Sequence, residues 1–467
     1  MEEMSKQERE YQIELVSKFD RMLKKGESYF FDVDEFEMII DYYLENNILN
    51  KSNLAIEAAI EQHPRTTTFA LRKAQYYVSS NRINKALDLL VKIERLEPEN
   101  SDIFLSKASI YSQLKKYEKA IEEYNKALKD AENTEEVYTN IAFEYENLGN
   151  YDKAIEYLKY ALELNPENDA VIYELSFCFE ISGRSEYAIE FFKNFLNKEP
   201  YSKASWFNLG IAYNNTERFK KAIDAYDYAI AIDETFASAY FNKANSYANL
   251  GLYEKAIETY KETFEYEDPD AMTLYYIGEC YENLSQTEGA LDYYNQAIKI
   301  DPLLSDAWAG IGMLYEERGE LEIAIRHIDK ALNIEPSNPD FWYMMGDTLY
   351  KAGRYDEALK SYINVANLDP KHPEIWLDYS HIYALDVDYF KAIEIIDEGI
   401  AEQPENADFL YRKFVYLHRM MLHKEAYDIL EEALIKDYKK HSAIFDYDPD
   451  LFKDTNLLRI IEIYKIK

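Results

Sequence analysis

Apolar and polar positions along this chain keep a helical beat that breaks and restarts. In "SWFNLGIAYNNTERFKKAIDAYDYAIAIDE", Trp206, Gly210 and Tyr213 stand at i, i+4 and i+7, one face of a helix. After a polar break, Ala222, Tyr226 and Ala229 repeat the spacing. The stretch predicts two helices joined by a short turn. Nearly the same text returns as "AWAGIGMLYEERGELEIAIRHIDKALNIEP". The echo has a period of 34: alanines recur at that interval from Ala86 through Ala222 and Ala290 to Ala426, without an insertion or deletion. A second column holds Pro64, Pro98, Pro166, Pro200, Pro302, Pro336, Pro370 and Pro404. A third holds the rings Phe104, Tyr138, Trp206, Tyr240, Trp308, Trp342 and Trp376.

Each column has a mechanical role. Small residues such as Gly210 let a neighbouring helix approach, and rings fill the remaining space. Gly149, Gly183, Gly251, Gly319 and Gly353 fall between the two helices, where a left-handed C-terminal cap is wanted. Pro339 and Pro373 are placed in the first turn of a helix, where a missing N–H costs nothing. One such pair cannot fold alone. Burying a large side chain contributes about 2–3 kcal/mol, whereas ordering the backbone costs about 1–2 kcal/mol per residue. Neighbouring pairs must therefore stack.

Charge and composition narrow the partners. With 52 Lys and Arg against 88 Asp and Glu, the formal net charge is −36. Such a surface repels phosphate and anionic lipid, so neither nucleic acid nor membrane is expected as a partner. "MEEMSKQERE" shows no apolar leader, and no apolar run approaches the ~18 residues of a membrane span. A cytoplasmic chain is the expectation. Cys178 and Cys280, three periods apart, should be core residues and not a disulfide. His418 and His423, five apart, are poorly spaced to share a helical face, and no H-E-x-x-H, C-x-x-C or phosphate loop appears. No metal, cofactor or catalytic residue is expected; the chain is read as a non-enzyme.

The columns resemble the tetratricopeptide repeat (TPR) pattern of ring, leucine-glycine, tyrosine, alanine, ring, alanine and proline. Trp308, Ile311, Gly312, Tyr315, Ala324, Ile328, Ala331 and Pro336 meet it here. The match runs over residues 33–440 as twelve units, starting near Val33, Thr67, Ser101, Glu135, Asp169, Lys203, Ala237, Ala271, Ser305, Pro339, Pro373 and Ala407. The resemblance implies an all-α, right-handed solenoid. Residues 1–32 are expected to form an N-terminal cap with the stripe Tyr11, Leu15, Phe19 and Met22 ending at Gly26. Residues 441–467 are expected to end in a capping helix bearing Leu457, Leu458, Ile461 and Tyr464.

In this family the first helix of each pair lines a concave groove, so the resemblance implies a site there for an extended peptide. The fifth position of the units carries Tyr173, Phe207, Phe241, Tyr275, Tyr343 and Tyr411. These rings either contact a ligand or pack between successive first helices. Asn140, Asn208, Asn242, Asn214 and Asn245 lie beside them and could pair with peptide backbone as donor and acceptor. Asn140, Asn208 and Asn242 resemble the asparagine ladder in the repeat domain of the O-linked N-acetylglucosamine transferase, whereas Tyr276, Gly310 and Met344 break it. The family's clamp for acidic C-terminal tails lacks its cations: Phe207, Phe241 and Tyr275 take the leading lysine position. Tight binding of such tails is not expected. The leading function is a protein-interaction scaffold; the alternative is an accessory subunit that binds a basic partner through an acidic convex surface.

Overall fold

The second helix of every pair starts 34 residues after its predecessor: Leu49, Ile83, Tyr117, Tyr151, Ser185, Phe219, Tyr253, Thr287, Leu321, Tyr355, Tyr389 and His423. First helices start at Val33, Thr68, Ser101, Thr134, Asp169, Lys203, Ala237, Ala271, Ser305, Pro339, Ile375 and Ala407. They define hairpins 1 to 12. The structure is a computed structural model; it describes residues 6–465, with side chains from Glu8 to Lys465. Residues 1–5 and 466–467 of the expected caps lie outside the described residues. The described residues form helices and turns, with no strand. The chain divides into two compact units, Met1–Asn242 and Lys243–Lys467, the division falling inside the first helix of hairpin 7.

The turn inside each hairpin is set by one backbone conformation. Gly149, Gly183, Gly251, Gly319 and Gly353 have φ between 67° and 75°. Asn47, Asn81, Lys115, Glu217, Ser285, Val387 and Met421 occupy the same column in the other hairpins and are forced to the same positive φ. The turn is thus dictated by the fold even where the residue is not glycine.

Packing inside a hairpin pairs a small residue with a ring. A Cβ added to Gly278 would fall 2.5 Å from the Tyr294 ring, and one on Gly346 would fall 2.5 Å from Tyr362. Gly210 faces Tyr226 in the same way. Packing between hairpins uses the tryptophan and proline columns together. The indole N–H groups of Trp206, Trp308, Trp342 and Trp376 donate to the carbonyls of Pro200, Pro302, Pro336 and Pro370 at 2.8–3.0 Å. Each tryptophan therefore ties its helix to the linker that precedes it.

Three helix starts differ from expectation, each for a capping reason. Hairpin 4 begins at Thr134 because the Asn133 side chain accepts the Glu136 amide. Hairpin 2 begins at Thr68, with Thr67 as an N-cap in α geometry. Pro339 is the first residue of its helix, capped by Asn338, but Pro373 stays outside: the helix begins at Ile375. The residue equivalent to Asn338 is His372, whose ring lies 4.3 Å from Tyr343 and caps nothing.

The N-terminal cap is the helix Lys6–Lys25, closed by Gly26 at φ 68°. Leu15 and Phe19 are buried, while Tyr11 is exposed and donates its hydroxyl to Glu35 at 3.0 Å. The C-terminal end is more broken than expected. Two 3-10 segments, Tyr438–Ser442 and Pro449–Lys453, flank Ala443–Tyr447 before the last helix, Thr455–Lys465. There Leu457 and Ile461 are buried and Leu458 is exposed, because only the i, i+4 pair shares the buried stripe. Among the described residues, no helix is long and apolar enough to cross a membrane.

Candidate functional site

Within the units, first helices touch their neighbours in hairpins 1 and 2, 2 and 3, 5 and 6, 9 and 10, and 11 and 12, whereas neighbouring second helices barely meet anywhere. First helices thus form the tighter inner layer. Side chains on their open faces are the ones that a bound segment would reach.

The predicted rings divide on this face. Tyr173 is partly open; Phe241, Tyr275 and Tyr343 are half-buried. Phe207 and Tyr411 are corrections to the expected contact surface. Phe207 is buried between Tyr226, at 5.8 Å between ring centres, and Phe236, at 4.9 Å. Tyr411 is fully buried and donates its hydroxyl to the Asp437 carbonyl at 2.8 Å. At these two positions the packing role wins, because the following hairpin or the C-terminal segment closes over the ring.

The asparagines divide too. Asn208 is buried, and its amide donates to the Ala204 carbonyl of its own helix at 2.8 Å, so it offers a ligand nothing. The Asn242 amide makes the equivalent bond to Ser238, also at 2.8 Å. Asn245 accepts the Tyr260 hydroxyl. Asn140 and Asn214 are half-buried on first helices. The spacing that suggested a ladder is also the spacing at which an asparagine can bond back to the carbonyl four residues earlier.

Sequence reasoning missed the more open neighbours. Phe143 is 55% exposed and Phe177 47% exposed, one period apart on the first helices of hairpins 4 and 5, with Ile181 open beyond them. The signal was present: large apolar residues at a position that is polar or small in most other units. Beside Phe143, Glu146 and Glu174 face each other across the two helices. Burial and the hydrogen bond with Glu174 push the Glu146 carboxyl up to about 8. The Cys178 thiol donates to Glu146 at 3.4 Å, and burial together with that carboxylate pushes the thiol far above its ordinary range. Both cysteines are buried and free.

In the second unit, the acids of the same face are held by hydroxyls. Tyr275 donates to Glu279 at 2.9 Å and Tyr294 to Glu282 at 2.6 Å. Tyr343 donates to Asp378 at 2.8 Å and to Glu374 at 2.9 Å. Thr348 and Lys351 both donate to Glu316, at 2.8 and 2.5 Å. Burial raises the Asp378 carboxyl above its ordinary range, against the opposing Tyr343 hydrogen bond.

His418 and His423 are corrected in one respect. They lie on different helices of hairpin 12, and their rings meet edge to face at 4.9 Å, where Asp454 is 3.3 Å from His418. No group of three or more His, Cys, Asp and Glu able to hold a metal occurs among the described residues.

Family comparisons agree with this architecture. Tetratricopeptide repeat models match residues 101–133, 135–168, 204–236, 225–258, 271–302, 319–377 and 349–413, together more than half of the chain. No curated protein matches it. Among solved structures, it is similar to YrrB, a TPR protein with an unusual peptide-binding site, at 20% identity over 39% of this chain and 95% of that one (TM-score 0.33). It is also similar to a chain of the APC/C hetero-tetramer Cut9–Hcn1, at 15% identity over 92% and 94% (TM-score 0.41). A third is the C-terminal part of a TPR repeat-containing protein from Cytophaga hutchinsonii, at 18% over 54% and 98% (TM-score 0.44). With its repeated helix hairpins and matching columns, this chain belongs to the tetratricopeptide repeat family of protein-interaction scaffolds.

Proposed function

We propose that the chain binds an extended segment of a partner protein on the open faces of its first helices. The observation that carries the reading is the set of rings standing open there, Phe143, Tyr173 and Phe177, in a chain whose other large rings are mostly packed away. Tyrosine and phenylalanine supply contact area at low entropic cost, which suits a recognition surface. Phe241, Tyr275 and Tyr343, with Asn140, Asn214, Asn242 and Asn245, are the remaining candidates on the same faces. Phe207, Tyr411 and Asn208 support the face from beneath.

An acidic outer surface is the competing reading, and charge pairing weighs against it. Near the hairpin turns, Arg218 pairs with Glu186 at 2.6 Å, Arg318 with Glu288 at 2.6 Å and Arg354 with Glu322 at 3.3 Å. Arg184 and Asp152 make a further such pair. Four acids there are already matched by the chain's own arginines.

Photo-crosslinking separates the two. A benzophenone amino acid is placed at Tyr173 or Phe177, or at Tyr228, an exposed ring on a second helix. Crosslinks to a common partner from positions 173 and 177, persisting at 0.5 M salt (about 4 Å screening length), support the inner face. Crosslinks from position 228 alone, lost at that salt, would overturn it.

A further inference from the structure

The first helices of hairpins 4 and 5 line an open cleft of about 370 Å³. Its walls combine apolar surface from Phe143, Ala170 and Val171 with the carboxylates Glu135, Glu136, Glu146 and Glu174, and its lining includes no lysine or arginine. Asn168 satisfies one oxygen of Glu135 at 2.8 Å, and the Cys178 thiol reaches Glu146. Two carboxyl groups, Glu146 and Glu174, are nonetheless left against each other in a partly apolar cleft. Several acids on other first helices are supplied with a donor: Lys351 reaches Glu316, and tyrosines reach Glu279, Glu282 and Asp378. A hydrogen-bonded carboxyl pair with no lysine or arginine beside it, next to exposed rings, is a site complementary to a cation on an apolar stem.

We propose that this cleft receives an arginine or lysine side chain of an extended partner segment, with Glu146 and Glu174 holding the cation and Phe143 and Phe177 packing against apolar side chains on either side. The proposal rests on the inner-face reading above and names the partner's chemistry. Geometry supports the division of labour. Phe143 and Phe177 occupy the same position in consecutive hairpins, whose helices pack ~8–10 Å apart. An extended segment advances about 3.3 Å per residue and turns every second side chain to the same face, so residues i, i+2 and i+4, spanning about 13 Å, can place a cation between two apolar side chains that bracket the rings. A guanidinium can engage both carboxyls at once and stack on a ring face, which makes arginine the better fit of the two. A divalent ion fits poorly, because the carboxylates do not converge: no group of three or more His, Cys, Asp and Glu able to hold a metal occurs among the described residues.

The test uses the full chain and fluorescent ten-residue peptides in which leucine and phenylalanine flank a central arginine, glutamine or glutamate, read by anisotropy. The arginine peptide should bind, and the glutamate peptide should not. Glu146→Gln with Glu174→Gln should weaken the arginine peptide by about tenfold or more and flatten its salt dependence. Removing this carboxyl repulsion does not threaten the fold. A control that removes at least as much charge, Glu254→Gln with Glu258→Gln on an exposed second-helix face, should leave affinity within about twofold, separating the cleft from the bulk charge. If both double variants weaken binding equally, the cation site is overturned. If the three peptides bind alike and only Phe143→Ala with Phe177→Ala abolishes binding, the inner-face reading survives and the cation inference fails. If Phe143→Ala with Phe177→Ala has no effect on a peptide that does bind, or no peptide binds at all, both fail for this cleft.

Discussion

The two compact units carry the same hairpin and treat the acids of its inner face differently. In the first unit Glu146 and Glu174 confront each other beside open phenylalanines. In the second, Tyr275, Tyr294 and Tyr343 give their hydroxyls to Glu279, Glu282 and Asp378. The repeat fixes where a side chain stands; a single phenolic oxygen decides whether an acid becomes part of the scaffold or remains available to a partner. A phenylalanine on this face has no donor to offer its neighbours, so both the ring and the nearby acids stay open.

The largest effect should come from the ring that does both jobs in the second unit. Tyr294 is buried, fills the space opposite Gly278 and bonds Glu282. Tyr294→Ala should cost about 3–5 kcal/mol in denaturant unfolding followed by circular dichroism. Phe143→Ala, in the open cleft, should stay within about 0.5 kcal/mol. Equal losses would mean that Phe143 is a core residue and that the contrast between the units is false.

A smaller change isolates the hydroxyl. Tyr343→Phe keeps the ring and removes the donor to Asp378 and Glu374; hydrogen bonds to charged groups contribute about 1.5–3 kcal/mol, so a loss in that range is expected at neutral pH. The same measurement should show that loss shrinking in acid, once the two acceptors are protonated. A loss independent of pH would show that the ring's packing, and not the acid it holds, matters.

The first unit should respond to pH with the opposite sense. The folded chain holds the Glu146 proton to about 8, against an ordinary 4.5. Below pH 4.5 both folded and unfolded chains are protonated there, and Glu146→Gln should be neutral. As pH rises from 4.5 through 8 the wild type loses stability that the glutamine variant keeps. After solvent screening of this half-exposed pair, the gap above pH 8 should reach about 1–2 kcal/mol in favour of the variant. A variant no more stable than wild type at pH 9 would remove the repulsion on which the open cleft depends.

The fold was legible because its signals are summed over many units. A lone Gly210 or Trp206 says little, but their recurrence located every hairpin to within two residues. Corrections to single positions came where one residue departs from the column: His372 in place of a capping asparagine moved a helix start past Pro373. The candidate site was less legible, because a ring at the fifth position and one at the ninth have the same spacing. Only the packing of Tyr226 and Phe236 decides that Phe207 is covered while Phe177 is open. Likewise an asparagine's sequence position does not reveal that its amide turns back to its own helix, as it does in Asn208 and Asn242. The tryptophan column was seen and its purpose was not, since the proline carbonyl it bonds lies six residues back across a turn.

The smallest predicted effect compares the units through the backbone alone. The inter-hairpin-helix turn requires positive φ at one residue, which is Asn81 in the first unit and Val387 in the second, at 56° and 64°. Asparagine enters this region at little cost, whereas a β-branched side chain does so only under strain. Val387 is exposed, so its side chain contributes little packing to offset that strain. Val387→Gly relieves about 1–2 kcal/mol of left-handed strain and gives back part of it through the freer unfolded chain. The net gain should be about 1 kcal/mol, with Asn81→Gly near zero and Lys115→Gly between them. Denaturant midpoints rank the three directly. If Val387→Gly gains no more than Asn81→Gly, the turn relaxes around its side chain, and the identity of the residue there carries no stability difference between the units.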